Sequence, residues 1–117
     1  MPAHVANLYS GFSETSETHT IDLGEPRDFY AWCQINMVDS LANFDYDNAV
    51  AIDIFSIDGV ETTQSRIWGG RHWGGADSST NVHDGAIAAR GRRITFRLRA
   101  MHPSDLQAYG TGIVLVP

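Results

Sequence analysis

The sequence predicts an all-β fold, an antiparallel β-sandwich of about seven to eight short strands with one long Gly/Trp-rich loop. Three observations carry that expectation. Apolar side chains alternate with period two in 29–38 and 92–101. Gly, Pro, Asn and Asp clusters punctuate the chain about every eight to twelve residues. No stretch shows the apolar repeat of an amphipathic helix. A length of 117 residues suits a single domain over 1–117, with one core and no room for a second. Hydrophobic residues at 43% and charged residues at 19% are ordinary globular values.

In chain order, 3–9 and 18–23 read as short strands on β-branched content, joined by the polar linker 10–17. Glu25-Pro26 is expected to break the chain before the strand 29–38. There Phe29, Ala31, Cys33, Ile35 and Met37 share one apolar face, while Tyr30, Trp32, Gln34, Asn36 and Val38 share the other. A solvated face rarely carries both a Tyr and a Trp, so a loop, another copy or a ligand is expected over Tyr30 and Trp32. A turn-rich connection, 39–47, leads to the near-continuous apolar run 48–57, which fits a strand covered on both faces. Asp53 is the exception in that run, and an Arg on a neighbouring strand is its natural partner. Asp58-Gly59 is a hairpin turn returning as 60–68.

The stretch 66–85 holds two of the three Trp, two of the five His and several Gly without periodicity, and reads as a projecting loop. Next come 86–89 and then 92–101, with Ile94, Phe96, Leu98 and Ala100 facing one way and Arg93, Thr95, Arg97 and Arg99 the other. Ser104 and Gln107 have capping-box spacing, suited to a single helical turn. The last strand, 109–116, is expected to turn Ile113 and Leu115 inward. Pro103, Asp105 and Tyr109, lying between two strands, resemble the corner of immunoglobulin-type sandwiches where a Tyr hydroxyl bonds back to the chain. Where such domains carry their second Cys this chain has Thr111. The expected architecture is therefore a jelly-roll or immunoglobulin-like sandwich.

The net charge of −6 is unevenly placed: 1–62 hold eleven acidic residues against Arg27 alone, whereas 63–117 hold seven Arg against three Asp. All eight basic residues are Arg. G+C-rich codon usage accounts for that, and Arg also suits partly desolvated interfaces better than Lys. The Arg stripe of 90–99 could face nucleic acid, but an acidic chain of pI near 5.1 argues against it. Pairing with Asp53 and its neighbours is the expected use. No apolar run is long enough to cross a bilayer and the start lacks a basic, then apolar, leader, so a virion or the cytoplasm is the expected location.

Catalysis finds little support. There is no G-x-S-x-G, and Cys33 falls on the inward face, where a thiol is inert packing. His72, Asp77, His83 and Asp84 lack the spacing of a zinc site, and Asn43, Asp45 and Asp47 lack the Gly and Glu of a calcium loop. No metal or cofactor is expected. The expectation is a non-enzymatic structural module that self-associates or packs on neighbouring proteins, such as a phage virion decoration or minor tail protein. The alternative is a carbohydrate-binding module, with Trp faces stacking on sugar rings. Expected contact residues are Trp68, His72, Trp73, Asp77 and Asn81 of the Trp/Gly-rich segment, with Tyr30 and Trp32.

Overall fold

A computed structural model describes residues 2–10, 16–40, 45–62, 67–72, 77–78, 82–83, 86–100 and 106–117, with side chains described over 2–9, 16–35, 51–62, 86–99 and 108–117. The described elements are strands: β1 (Ala3–Ser10), β2 (Ser16–Ser40), β3 (Asp45–Ile57), β4 (Val60–Glu61), β5 (Ile67–His72), β6 (Asp77–Ser78), β7 (Val82–His83), β8 (Ile87–Ala100) and β9 (Leu106–Leu115). Every pairing is antiparallel, in the order β1-β9-β2-β8-β3-β5-β7, with β4 on β3 and β6 on β2. The all-β, antiparallel part of the expected fold therefore holds. The strands join one continuous, open sheet, and three of them are long.

The sheet reaches a compact form by folding over along β2. At an extended rise, the 25 residues of β2 would span roughly 80 Å, yet the molecule's longest extent is 45 Å. The fold lies where Glu25-Pro26 was expected to end a strand. Between Asp22, opposite Arg93, and Arg27, opposite Gly91, four residues of β2 face one of β8. This bulge has its own local chemistry. Gly24 takes φ +84°, open to glycine without strain, and its N–H donates to Asp22 Oδ1 at 2.8 Å. Pro26, which has no N–H to offer a ladder, is tolerated in a bulge but not in a regular central strand.

Beyond the bend, the second half of β2 pairs with β9, and β9 pairs in turn with β1. Side chains from both halves then meet in one core containing Leu8, Phe29, Ile35, Ile52, Phe96 and Leu98. The closest approach is at β9: a Cβ on Gly112 would lie 2.4 Å from Phe96 Cγ. Phe96 faces His19 and Gly112 faces Cys33 in the ladders, positions roughly 46 Å apart on a straight strand. Only a folded sheet brings them together.

This packing corrects the facing of the last strand. Ala108, Gly110, Gly112, Val114 and Val116 look into the core, whereas Ile113 and Leu115 look out, half-buried. The space beneath β9 already holds the Phe96 ring, so the positions without side chains take the inward places. Alternation holds as expected elsewhere: Phe29, Ala31, Cys33 and Ile35 are buried on β2, and Ile94, Phe96 and Leu98 on β8. β3 is covered on both faces, with Ala51, Ile52, Asp53 and Ile54 all buried.

Other boundaries also shift. The 39–47 connection shrinks from both sides as β2 runs to Ser40 and β3 starts at Asp45, which leaves 41–44 outside the described residues. Asp58 at φ +51° and Gly59 at φ +81° form the expected hairpin turn, both residues left-handed, and the return pairs with β3 as β4 and again from Ile67 as β5, with 63–66 outside the described residues. The turn is pinned to β8: Asp58 Oδ1 accepts the N–H groups of Arg92 at 3.0 Å and Arg93 at 2.8 Å. The helical turn expected at 103–107 lies outside the described residues up to 105, and 106–107 begin β9.

Candidate interaction surface

The bend leaves the outer side of β1, β9 and the second half of β2 as a surface of its own. The ladder registers line it up in rows. Ala3, Leu115 and Tyr30 form one row, extended by Ala88 of β8, and Val5, Ile113 and Trp32 form the next. Asn7, Thr111 and Gln34 form a polar third row, and Tyr9 beside Tyr109 closes the end. Each side chain points outward because its strand neighbours face the core. Val5 is 55% exposed, Tyr30 45% and Tyr109 37%.

None of these side chains is charged. The Tyr9 and Tyr109 rings stand 4.8 Å apart at 43°, and Thr111 Oγ1 donates to Asn7 Oδ1 at 3.4 Å, so the outer side of β1 and β9 is held by side chains as well as by the ladder. Of the corner expected from Pro103, Asp105 and Tyr109, the part described is Tyr109. Pro103 and Asp105 lie outside the described residues, and Tyr109 packs on Tyr9. Among the described residues, the charges beyond the Tyr30 row are Asp28 and Arg90, paired at 3.2 Å.

Charge is gathered where β8 meets the bulge and β3. Asp22 takes Arg92 Nε at 2.9 Å and Arg93 Nε at 3.3 Å. The Arg92 guanidinium, with the Gly24 N–H, holds the Asp22 carboxyl well below the usual carboxylate range. Asp53 faces Arg97 in the ladder as expected, bonded at 2.9 Å. The Arg97 guanidinium also lies 4.2 Å from the centre of the Phe55 ring. Arg90, Arg92, Arg93 and Arg97 are thus each engaged by a carboxylate, the pairing across the sheet anticipated for them. Burial next to Asp53 pushes the Cys33 thiol up to about 12, so it stays protonated and unreactive at neutral pH.

The residues expected to form a binding loop are distributed over strands. Trp68 lies on β5 between Ala51 of β3 and Val82 of β7, His72 faces Asp45, and Asp77 of β6 faces Asp39. Trp73 and Asn81 lie outside the described residues. The expected continuous loop is corrected to that extent: three of its segments pair into the sheet, because neighbouring strands offer unpaired backbone groups there. Asp45 and Asp47, considered for a calcium turn, belong to β3.

Tyr30 and Trp32 are the predicted contact residues whose side chains are described, and both belong to the uncharged face. Sequence reasoning missed Val5, Ile113 and Leu115, which share it. The signal available for the last two was the Gly110/Gly112 alternation, which marks the inward positions of β9. No helix among the described residues is long and apolar enough to cross a membrane.

Fold and surface together define an all-β antiparallel chain with charges paired on one side and an uncharged aromatic face on another. Comparison with protein-family models, with curated proteins and with solved structures finds no match.

Proposed function

We propose that this chain is a non-enzymatic building block that associates with further copies of itself through the outer face of β1, β9 and β2. The observation that carries the reading is that none of the described side chains on that face is charged, in a chain of net charge −6. Two acidic copies repel one another wherever their charges approach, and a surface free of ionised groups avoids that penalty. Tyr and Trp, which supply large contact area with few rotatable bonds, sit where such a contact would centre.

Size sets the strength. Three strands about 4.8 Å apart and six residue steps of about 3.3 Å give a footprint of roughly 300 Å². That is near the largest apolar patch of an ordinary monomer and below the usual share of a stable interface, about 800 Å² per partner. The face alone supports weak, concentration-dependent pairing. A particle presenting many copies side by side, such as a virion, is the proposed setting, since local concentration there offsets weak pairing.

Sedimentation velocity across a micromolar concentration series tests the reading, with wild type beside Val5→Asp/Tyr30→Asp. Wild type is expected to sediment above the 12.9 kDa monomer as concentration rises, and the folded double variant to remain monomeric. A monomer throughout, or association untouched by the substitutions, overturns it.

A further inference from the structure

The folded sheet does not close, and its open seam is a built feature. β1 is paired on one side by β9, and the first half of β2 on one side by β8. Their other edges look toward one another. At one end the seam is tied, because the Tyr9 N–H donates to a Glu17 carboxylate oxygen. Toward the other end the strands part, as the bulge carries β2 away. The parting leaves a cleft of about 250 Å³ lined by Pro2, His4, Leu23, Arg27 and Val116.

The lining is amphipathic in an ordered way. Val116 is 6% exposed and belongs to the core, and Leu23 packs against that core, so the floor is apolar. His4 and Arg27 supply the polar groups. Arg27 bonds Glu25 through one terminal nitrogen at 2.8 Å. A guanidinium carries five donors, so this pair leaves donors for a second carboxylate.

We propose that the seam cleft binds a small monocarboxylate with an apolar body, its carboxylate on Arg27 and His4 and its hydrocarbon on Leu23 and Val116. The volume equals about eight water molecules and lies below the range of drug-sized sites, which limits the ligand to a short fatty or aromatic acid. Phosphate suits the cleft poorly, because a dianion has no apolar part to bury and would set its second charge against hydrocarbon. An amine of the same size meets a guanidinium instead of a carboxylate. The site is distinct from the uncharged outer face, since His4 lies on the opposite side of β1 from Val5.

Titration calorimetry of the purified chain with hexanoate, hexylamine and inorganic phosphate tests the assignment, on wild type and Arg27→Gln. The Arg27 side chain is 49% exposed, so the variant should fold, and its melting temperature checks that. Saturable hexanoate binding is expected on wild type, weakened roughly tenfold to a hundredfold by Arg27→Gln when a charge-assisted bond is lost. Leu23→Asn should weaken hexanoate as well, by removing the apolar floor. No saturable hexanoate binding, equal affinity on Arg27→Gln, or phosphate or hexylamine binding as tightly as hexanoate overturns the proposal.

Discussion

Gly112→Ala is the sharpest probe of the folded sheet. An added Cβ would stand 2.4, 2.5 and 2.6 Å from Cγ, Cδ1 and Cδ2 of Phe96, a ring with no exposed surface. Carbon atoms rest about 3.5–4.0 Å apart, so ring and strand must separate by roughly 1 Å. Overpacking a filled core costs about 1–3 kcal/mol, and a rigid ring held from both sides places this site at the upper end. With unfolding entropy of about 2.1 cal/mol/K per residue, a chain of this length loses roughly 4 °C per kcal/mol, or about 12 °C in all. Gly110→Ala is the internal control. Its Cβ would meet Ile52 Cδ1 at 2.7 Å, the free end of a flexible side chain, and Gln34 O at 3.2 Å, so a smaller loss is expected. Thermal unfolding by circular dichroism measures both, together with Phe96→Leu and the Gly112→Ala/Phe96→Leu pair. The smaller Leu side chain should recover much of the Gly112→Ala loss, a coupling expected only of residues in contact. A Gly112→Ala variant melting within about 2 °C of wild type, on that same scale, or strictly additive effects in the pair, would refute the packing of β9 onto β8.

Three further outcomes follow from the same geometry. Asp53→Ala strips its carboxylate from Arg97, whose side chain is 21% exposed, and should cost about 3–5 kcal/mol in urea unfolding; a change below about 1 kcal/mol would show that the pair is not the anchor of β3 on β8. Folded Asp22 keeps its charge to lower pH than the unfolded chain, so its contribution is complete above the ordinary carboxylate value of 3.8 and drains away as pH falls below it. The melting-temperature gap between wild type and Asp22→Asn should therefore be widest near neutrality and narrow in acid, and a gap constant from neutral pH into acid contradicts the assignment. Cys33, buried and with its thiol donating to the Ile52 carbonyl at 3.7 Å, should resist iodoacetamide at pH 8 until denaturant is added, read as intact mass; rapid native labelling would place it elsewhere.

The part of this structure legible in the chain is the part with a local cause. Period-two patterning in 29–35 and 94–98 assigned strand and inward face alike, because successive side chains must leave a strand on opposite sides. Asp58-Gly59 announced its turn, since both positions need a left-handed backbone. Asp53 announced a cationic partner, since a carboxylate in an apolar run must be matched. Tyr30 and Trp32 were placed on the face opposite Phe29, Ala31 and Cys33 by the same alternation, and that is where they lie.

What the tertiary structure alone decided is long-range. A Gly-Glu-Pro triplet is compatible with a chain break or a bulge, and only the pairing of β8 along both sides of it makes one bent strand of β2. The facing of β9 turned on whether Phe96 would arrive beneath Gly112 from a strand two places away in the sheet. Strand pairing around Trp68, His72 and Asp77 depended on edges belonging to β2 and β3. The seam holding His4 and Arg27 exists because two edges lie near in space without a strand ladder between them among the described residues. Side-chain alternation is a property of each residue and its neighbours; which edges meet depends on the packing free energy of the whole core, and no short stretch encodes it.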